Sequence, residues 1–449
     1  MEARRFCTPS NLPTGMLNCS RTTGAYARVR EQFNIPVGRF EGVQKCLAAI
    51  AATAYVLDAG RRLTCASLDE GRKLAVISAI MKAHATDRMR QAVNDAMDVH
   101  AGKAVIDGPS NYLGNLYRTI PVGITVEGAN ILTRNLIIFG QGAIRCHPYL
   151  LKEMLALEEP DEARALREFD EAFWSHVWHS TKNFFRAWTR AWTGGWFAPA
   201  PAAGAATPYY RQVARYSAAF ALTADIALLT LGGALKRREM LSERLGDILS
   251  ELYLLSAALR RWEDEGRQEA DLPLLAHAME TGFAIIELRL AEVLDNLPSR
   301  VAAWLLRFIV QPFGPNRRGP ADATASAAAE LLLAPSATRD RLTAGLYLGS
   351  EDEPLMRLEA ALKLAIEADS IEKKIRAAGI HDRRAAVKAE VITAEEAKLF
   401  EAAEATAARV IEVDDFAPAE LKRQAAADNI VPLDTARPRA RRTAAKRKP

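Results

Sequence analysis

Apolar residues recur every three or four positions along most of the chain, and this pattern limits the possible folds most strongly. In one long stretch they fall on a single helical face: Val43, Leu47, Ile50, Ala54 and Leu57. No segment shows the strict alternation of a half-buried strand. Glycine and proline are modest, at 26 and 21 of 449 residues, which also favours helices. The sequence therefore predicts an all-α protein.

The length of 449 residues is too great for one ordinary core and predicts two or three domains. Residues 1–147 are predicted to form an antiparallel bundle, with an irregular start over 1–15 and helices at 17–33, 40–67, 72–100 and 130–146. Residues 148–430 are predicted to form a second helical region, and 431–449 a disordered basic tail. The second region has predicted helices at 149–158, 161–193, 208–262 (breaking near 232–233), 270–310, 353–377 and 394–412.

Charge and cysteine content narrow the functional classes. The last thirteen residues carry seven positive charges, more than the whole formal net charge of +4, so the rest of the chain is slightly acidic. It therefore offers no basic face for nucleic acid. The five cysteines are scattered without C-x-x-C spacing, which indicates reduced thiols in the cytoplasm and no metal site. The start lacks the apolar core of a secretory signal. The apolar run 217–235 contains Thr223 and Asp225, so we interpret it as a buried core helix.

Glu127 is the first candidate for chemistry. It precedes Gly128 at a predicted loop-to-helix junction, between apolar Val126 and Ile131. A carboxylate enclosed by apolar groups has a raised pKa, which suits a general base that works near neutral pH. The alternative is an acidic residue that is simply favourable at a helix N-terminus. On local chemistry alone that alternative is favoured.

Three segments, in order along the chain, carry a family resemblance. Arg30–Phe40 matches the pattern R-x-x-F-x-x-P-[IV]-x-x-F, Ala101–Ala104 is similar to a later glycine segment, and Val126–Gly128 corresponds to a Y-E-G element. Together they resemble the acyl-CoA dehydrogenases over about residues 5–154. The string 125–149 resembles in particular the long bacterial fatty-acyl-CoA dehydrogenases of β-oxidation, whose extra helical C-terminal region fits 148–430 in length and character.

The resemblance implies an FAD-dependent reaction on an acyl-CoA substrate. Glu127 would remove the α-proton while the β-hydrogen leaves as hydride to the flavin, which gives a trans-2-enoyl-CoA. Arg30 would contact the FAD pyrophosphate of a neighbouring subunit in a homodimer, Phe33 would form an apolar wall there, and Gly102 would let the backbone approach a phosphate. Electron-transfer flavoprotein would be the electron acceptor. For Arg30, a solvated helix residue is the alternative.

Several positions depart from the family pattern. The glycine segment has Ala101 and Ala104 where glycines are usual, and Glu41 follows Phe40 where the family has glutamine. We expect these changes to weaken FAD binding. Full-length relatives carry an N-terminal helical domain and a β-domain before this bundle, so we expect the chain to be a fragment that lacks them. A non-catalytic helical fragment that only dimerises or docks is therefore the alternative function.

Aromatic residues recur at helical spacing over 169–197. They include Phe169, Phe173, Phe184, Trp188 and Trp192. Such a stretch can lie at a membrane surface. The favoured interpretation is packing on the bundle or on a dimer mate, and peripheral contact with the inner membrane surface of a cytoplasmic protein stays a hypothesis.

Overall fold

The computed structural model describes residues 2–72, 74, 76–380 and 383–419, with side chains from Thr14 onward except at 145–146 and 383–384. Within these residues the fold is all-α, as the periodicity predicts, apart from one hairpin of two strands with two residues each. The predicted tail at 431–449 lies outside the described residues.

The first part of the chain is a bundle of three long helices. They are α1 (Glu2–Val29), α2 (Glu41–Asp69) and α3 (Ile77–His100). Between α1 and α2 the strands β1 (Glu31–Gln32) and β2 (Ile35–Pro36) pair antiparallel. Helix α1 packs along α3, and α2 packs against both. The predicted irregular start is wrong for the described residues: α1 continues through Pro9 and Pro13 although proline removes a backbone donor. Tertiary context has outweighed local propensity there.

The stretch 102–146 was predicted as turns followed by one helix, and it is more helical than expected. Its elements are α4 (Gly102–Val105), α5 (Gly114–Thr125, with Pro121 inside), α6 (Asn130–Leu132), a π-helical segment (Thr133–Gln141) and α7 (Gly142–Cys146). Single π-helical turns inside α-helices are frequent at functional sites. Here the π segment packs on both α3 and the later helix at 239–264.

The remaining helices follow the predicted order with three additions. They are α8 (Leu150–Leu157), α9 (Glu162–Trp192), α10 (Thr207–Leu231), α11 (Glu239–Asp264), α12 (Leu272–Asn296), α13 (Arg300–Val310), α14 (Asp322–Glu330), α15 (Ala337–Leu342), α16 (Pro354–Ala377), α17 (Arg383–Lys388) and α18 (Ala394–Ile411). The sequence pattern missed α14, α15 and α17. It also missed the break at 297–299, where Ser299 caps α13 by accepting from the Ala302 N–H at 3.3 Å.

The later helices share one apolar core with the bundle. Residues as far apart as Met16 and Leu342 belong to the same buried cluster, in which α11, α12 and α14 pack on α2. An ion-pair network joins α1, α15 and α16: Arg21 and Arg339 both donate to the Glu359 carboxylate. Removing one partner of such a buried pair would leave an uncompensated charge.

Helix α10 covers the apolar run that we interpreted as a core helix. Its inner face packs on α9 and α11. By length and composition Gly204–Arg237 could cross a membrane, and 39% of its most apolar window is buried in this fold. On the aromatic helix α9, Trp174 is 66% and Trp178 60% exposed in the single chain, and packing of this face on a dimer mate stays a prediction.

Candidate functional site

Glu127 lies in a tight loop between α5 and α6. Its backbone adopts the left-handed conformation, with φ 57°, and Gly128 follows with φ 105°. A left-handed residue other than glycine is uncommon and carries strain that the surroundings must hold in place. A methyl group at Gly128 would also lie 3.3 Å from Thr133 Oγ1. The loop conformation is therefore imposed by the fold around it.

Lys82, on α3, holds this loop from inside the protein. Its Nζ donates to the carbonyl oxygens of Ile124 at 3.0 Å and Gly128 at 2.7 Å, and to Asn130 Oδ1 at 2.7 Å. The three ammonium N–H groups thus bind acceptors on both sides of Glu127. Lys82 is only 1% exposed. The backbone around Glu127 is fixed to helix α3 by one buried cation.

Asn130 provides a second anchor at the start of α6. Its Nδ2 donates to Thr86 Oγ1 at 2.7 Å and to Asp87 Oδ1 at 2.8 Å. With Oδ1 held by Lys82, both ends of the amide are bound. Sequence reasoning missed Lys82 and Asn130. The available signal was a lysine inside the apolar stripe of α3, flanked by Ile80, Met81 and Ala83.

The electrostatics of the loop follow from this burial. Removal from water lowers the pKa of Lys82, and the nearby charges of Asp87 and Glu127 oppose that shift. The Glu127 side chain itself is exposed. Val126 is 42% and Ile131 75% exposed, so the apolar enclosure predicted for Glu127 is not formed by these neighbours. A base at this position needs a covering surface from beyond the described residues to exclude water.

Arg30 is fixed at the opposite end of α3. Its Nη1 donates to Tyr26 Oη at 2.9 Å and to the His100 carbonyl at 3.4 Å. The Tyr26 ring stacks on the His100 ring at 4.1 Å between centroids. His100 is completely buried and donates from Nδ1 to the Ala96 carbonyl, so it packs the bundle. Burial lowers its pKa to about 3.

Phe33 forms the tip of the β1–β2 hairpin next to Arg30. Both Phe33 and Asn34 have positive φ, at 53° and 62°. The Phe33 ring is 90% exposed and meets the Phe40 ring edge-on at 6.3 Å. Arg376 donates to the Asn34 carbonyl at 2.7 Å, so α16 supports the turn. A large apolar ring is therefore held outward beside a cation.

Gly102 begins α4 immediately after the strained residue Ala101, whose φ is 51°. The segment after it is partly covered by a short strap that follows α18, residues 412–414. Lys103 Nζ donates to the Glu412 carbonyl at 2.6 Å, and the Ser110 N–H donates to the Asp414 carboxylate at 3.1 Å. No sequence pattern predicted this strap, whose Asp414 carboxylate brings a negative charge close to Lys103 of the glycine segment.

The four predicted site residues form two groups. Arg30, Phe33 and Gly102 surround the C-terminal end of α3, while Glu127 is tied to Lys82 near its N-terminal end. Eighteen residues of helix separate Lys82 from His100, a rise of about 27 Å. One copy of the chain therefore presents the carboxylate and the Arg30 corner as separate surfaces.

Comparison with known proteins agrees with this architecture. Residues 1–140 match the family "Acyl-CoA dehydrogenase, C-terminal domain", and residues 144–416 match "Acyl-CoA dehydrogenase, C-terminal, bacterial type". Among curated proteins, a 3-(aryl)acrylate reductase of Clostridium sporogenes is 30% identical over 117 residues, 25% of this chain and 29% of that protein.

A solved acyl-CoA dehydrogenase structure shares this fold. The acyl-CoA dehydrogenase of Bacillus anthracis complexed with FAD aligns with TM-score 0.53 and 16% identity, over 74% of this chain and 55% of that one. Acyl-CoA oxidase-1 of Caenorhabditis elegans, complexed with FAD and ATP, aligns with TM-score 0.47 and 15% identity, over 80% and 52%. The chain thus spans about half the length of these structures. It belongs to the acyl-CoA dehydrogenase family and carries the family's helical C-terminal domains of bacterial type.

Proposed function

We propose that this chain is the helical part of an FAD-dependent acyl-CoA dehydrogenase of fatty-acid β-oxidation, with Glu127 as the base. The observation that carries the proposal is the Lys82–Gly128 hydrogen bond of 2.7 Å, which fixes a left-handed backbone at the carboxylate. A proton-abstracting group must be held in a defined position, and the strained, anchored backbone at Glu127 meets this requirement. An acidic residue at a solvated helix start would need no such strain.

The Arg30 corner fits the cofactor in part. A fixed guanidinium suits the pyrophosphate, and the exposed Phe33 ring beside it offers an apolar wall. Gly102 leaves its backbone approachable, since a methyl group there would meet only Val413 Cγ1 at 3.8 Å. The Asp414 carboxylate of the strap opposes a phosphate at this segment. Arg30 and Phe33 are the residues that would hold FAD, which supplies an acceptor for the hydride from the substrate β-carbon.

The chain's own residues would handle the α-proton. The Glu127 carboxylate accepts it from the carbon next to the thioester, which is too weakly acidic for a free carboxylate in water. Directed donors must stabilise the enolate oxygen, and the Glu127 N–H is the one the family resemblance assigns to this chain. Lys82 holds the backbone on both sides of Glu127, and with it this N–H, by binding the carbonyls of Ile124 and Gly128.

A homodimer would join the two separated groups. The α3 residues that anchor them, Lys82 for the Glu127 loop and His100 for Arg30, are separated by a helical rise of about 27 Å. A second copy therefore offers the direct way to bring an Arg30 corner to a cofactor near Glu127. A mixture of Glu127→Gln and Arg30→Ala chains then regains activity in one of its two sites. If the mixture does not regain activity, the proposal of a dimer with shared sites is contradicted.

Peripheral contact with the inner membrane surface is proposed for the second half of α9. Residues 172–192 contain Lys182, Arg186 and Arg190 and no acidic residue, and Trp178 and Phe185 are 60% and 54% exposed. Aromatic rings beside cations suit an anionic lipid surface. Flotation with phosphatidylglycerol vesicles tests this, and Lys182→Glu/Arg186→Glu should abolish it. A wild-type chain that does not float contradicts the contact.

The cellular setting follows from the same proposal. Cys19, Cys46 and Cys65 are free thiols, which suits the cytoplasm. Electron-transfer flavoprotein is proposed as the acceptor on the family resemblance alone. Reduction of that protein by an acyl-CoA in the presence of the enzyme is the corresponding assay.

The alternative is a helical fragment that only dimerises or docks. Flavin absorbance separates the two functions. A protein that is yellow with FAD and bleaches when an acyl-CoA is added anaerobically is an enzyme. A protein that stays colourless after incubation with FAD contradicts independent catalysis and supports the docking role.

A further inference from the structure

A cavity lies among the helices that follow the bundle, and Glu127 is not among the residues that line it. It has a volume of about 980 Å³, at the upper end of ordinary small-molecule sites. Helices α8, α9 and α10 form its walls, and the turn after α10 closes one side. Its apolar lining comes from Met154, Phe173, Val177, Leu222, Ile226 and Leu229.

A small polar cluster faces into this apolar space. His176 and Ser180 lie one turn apart on α9, Glu153 comes from α8, and Asp225 comes from α10. Ser180 Oγ donates to Asp225 Oδ2 at 2.7 Å. Asp225 Oδ1 is bound by His147 Nε2 at 3.1 Å, and these partners lower the pKa of Asp225 although burial opposes them. Asp225 is therefore a satisfied carboxylate.

His147 cannot readily serve as a metal ligand in this arrangement. Its Nδ1 accepts from the backbone N–H groups of Tyr149 and Leu150, at 3.2 and 3.1 Å. The ring proton must therefore sit on Nε2, where it donates to Asp225. His147, His176 and Asp225 have potential ligand atoms within 4.8 Å of one another, but a metal would need the Nε2 lone pair. The geometry favours an organic ligand over a cation.

His176 presents the reactive atom of the cluster. Its Nδ1 is 2.8 Å from Glu153 Oε1, so this nitrogen carries the proton and donates to the carboxylate. Among the described residues, no hydrogen bond is found at Nε2. With Nδ1 donating to Glu153, Nε2 carries a lone pair that can accept the O–H of a ligand's carboxyl group. Lys236 adds a cation at the cavity wall.

We propose that this cavity binds a long-chain fatty acid, with the chain along α10 and the carboxyl group at His176. A carboxyl group matches Nε2 and Lys236 together, while the apolar walls match an aliphatic chain. One lining cation is too few for the phosphates of coenzyme A. Each added methylene should tighten binding about fourfold until the cavity is full.

Displacement of a fluorescent fatty acid from the intact chain tests the site, using dodecanoate below its micelle concentration. Wild-type protein should bind one dodecanoate per chain. Ile226→Trp fills the cavity and should weaken binding at least tenfold. His176→Phe should weaken dodecanoate at least fivefold but leave methyl dodecanoate unchanged. Trp178→Ala removes an exposed ring outside the cavity and should have no effect.

Each variant is first checked for native helicity and unfolding midpoint, and Leu222→Phe provides a second, milder cavity filling if Ile226→Trp does not fold. Three results would overturn the proposal. One is equal dodecanoate affinity in wild-type and filled variants. Another is a loss with Trp178→Ala as large as with Ile226→Trp, which indicates adsorption to the aromatic surface. The third is uptake only with phospholipid vesicles, which indicates a membrane lipid as the source of the chain.

Discussion

The Lys82 ammonium donates to the Gly128 carbonyl at 2.7 Å, and this contact connects the middle of a buried helix to the loop that carries Glu127. A side chain that looks like an interruption of the α3 apolar stripe is thus the centre of a three-acceptor site. The neighbouring left-handed residues at 127 and 128 show why such an anchor is needed. The bundle therefore holds the backbone of the Glu127 loop in place through Lys82 on α3.

Replacing Lys82 by methionine should release the loop. The change keeps an unbranched side chain, one atom shorter, and leaves Ile124 O, Gly128 O and Asn130 Oδ1 without their donor. We expect the free energy of unfolding to fall by about 2 kcal/mol. Urea denaturation measures it, with Lys45→Met on the exposed face of α2 as the control. An equal small change in both variants would contradict the anchoring role.

Alanine at two glycines should have opposite effects. Gly128→Ala places a methyl group on a residue with φ 105°, close to Thr133 Oγ1, and should cost about 1–2 kcal/mol of stability. Gly42→Ala, in α2 with open space around it, should be neutral or stabilise by up to about 1 kcal/mol. Thermal unfolding of both variants checks the pair. A stable Gly128→Ala protein would mean that the loop relaxes to an ordinary conformation.

Acid should destabilise the bundle through His100. Its folded pKa of about 3 lies below the ordinary 6.5, so the unfolded chain binds the proton first as pH falls. Stability from this group is fully present above 6.5 and is lost towards pH 3, by about 2–3 kcal/mol between pH 7 and 4.5. His84 and His277 contribute in the same direction, because burial lowers their pKa too.

The contribution of His100 is isolated by comparison with His100→Gln. That variant should be less stable than wild type at pH 7, and the difference should shrink as the pH falls to 4.5. Urea midpoints at several pH values provide the measurement. Parallel pH profiles for the two proteins would show that His100 does not titrate between folded and unfolded states as expected.

Removing the strap charge should help the cofactor. Asp414 accepts from the Ser110 N–H beside the glycine segment, where an anionic cofactor would come close. If FAD binds there, Asp414→Asn should raise its affinity about two- to fivefold at low salt, and added salt should reduce the gain. Asp415→Asn, at an exposed neighbouring position, is the control. Flavin fluorescence titration decides, and no difference between the two variants would place the pyrophosphate elsewhere.

Periodicity was sufficient for most of the fold. The long helices α2, α9, α10, α11 and α16 begin and end close to their predicted limits, because each buries a regular apolar stripe. The failures have physical causes. Helix α5 forms in a stretch that looked turn-rich because of Pro121, and α14 is short and alanine-rich, with no boundary signal beyond Asp322. The β1–β2 hairpin depends on positive φ at Phe33 and Asn34, and the sequence pattern did not predict this backbone conformation.

The candidate site was predictable only in part. Glu127, Arg30, Phe33 and Gly102 came from motif resemblance, and their roles remain predictions. Their supports could not be read from the sequence. Lys82 acts through a loop 42 residues away, and Asp414 through a contact 304 residues away. Such pairings depend on tertiary contacts that no local spacing encodes.

The most direct test of the central claim is α-proton exchange. An FAD-loaded protein that contains this chain is incubated anaerobically in D₂O with a saturated acyl-CoA, and deuterium at the α-carbon is measured by mass spectrometry. We predict exchange with wild type, a loss of at least 100-fold with Glu127→Gln, and near-wild-type rates with the control Glu70→Gln, an exposed carboxylate at the end of α2. Exchange that persists in Glu127→Gln at the wild-type rate, with FAD still bound, would contradict the assignment of Glu127 as the base.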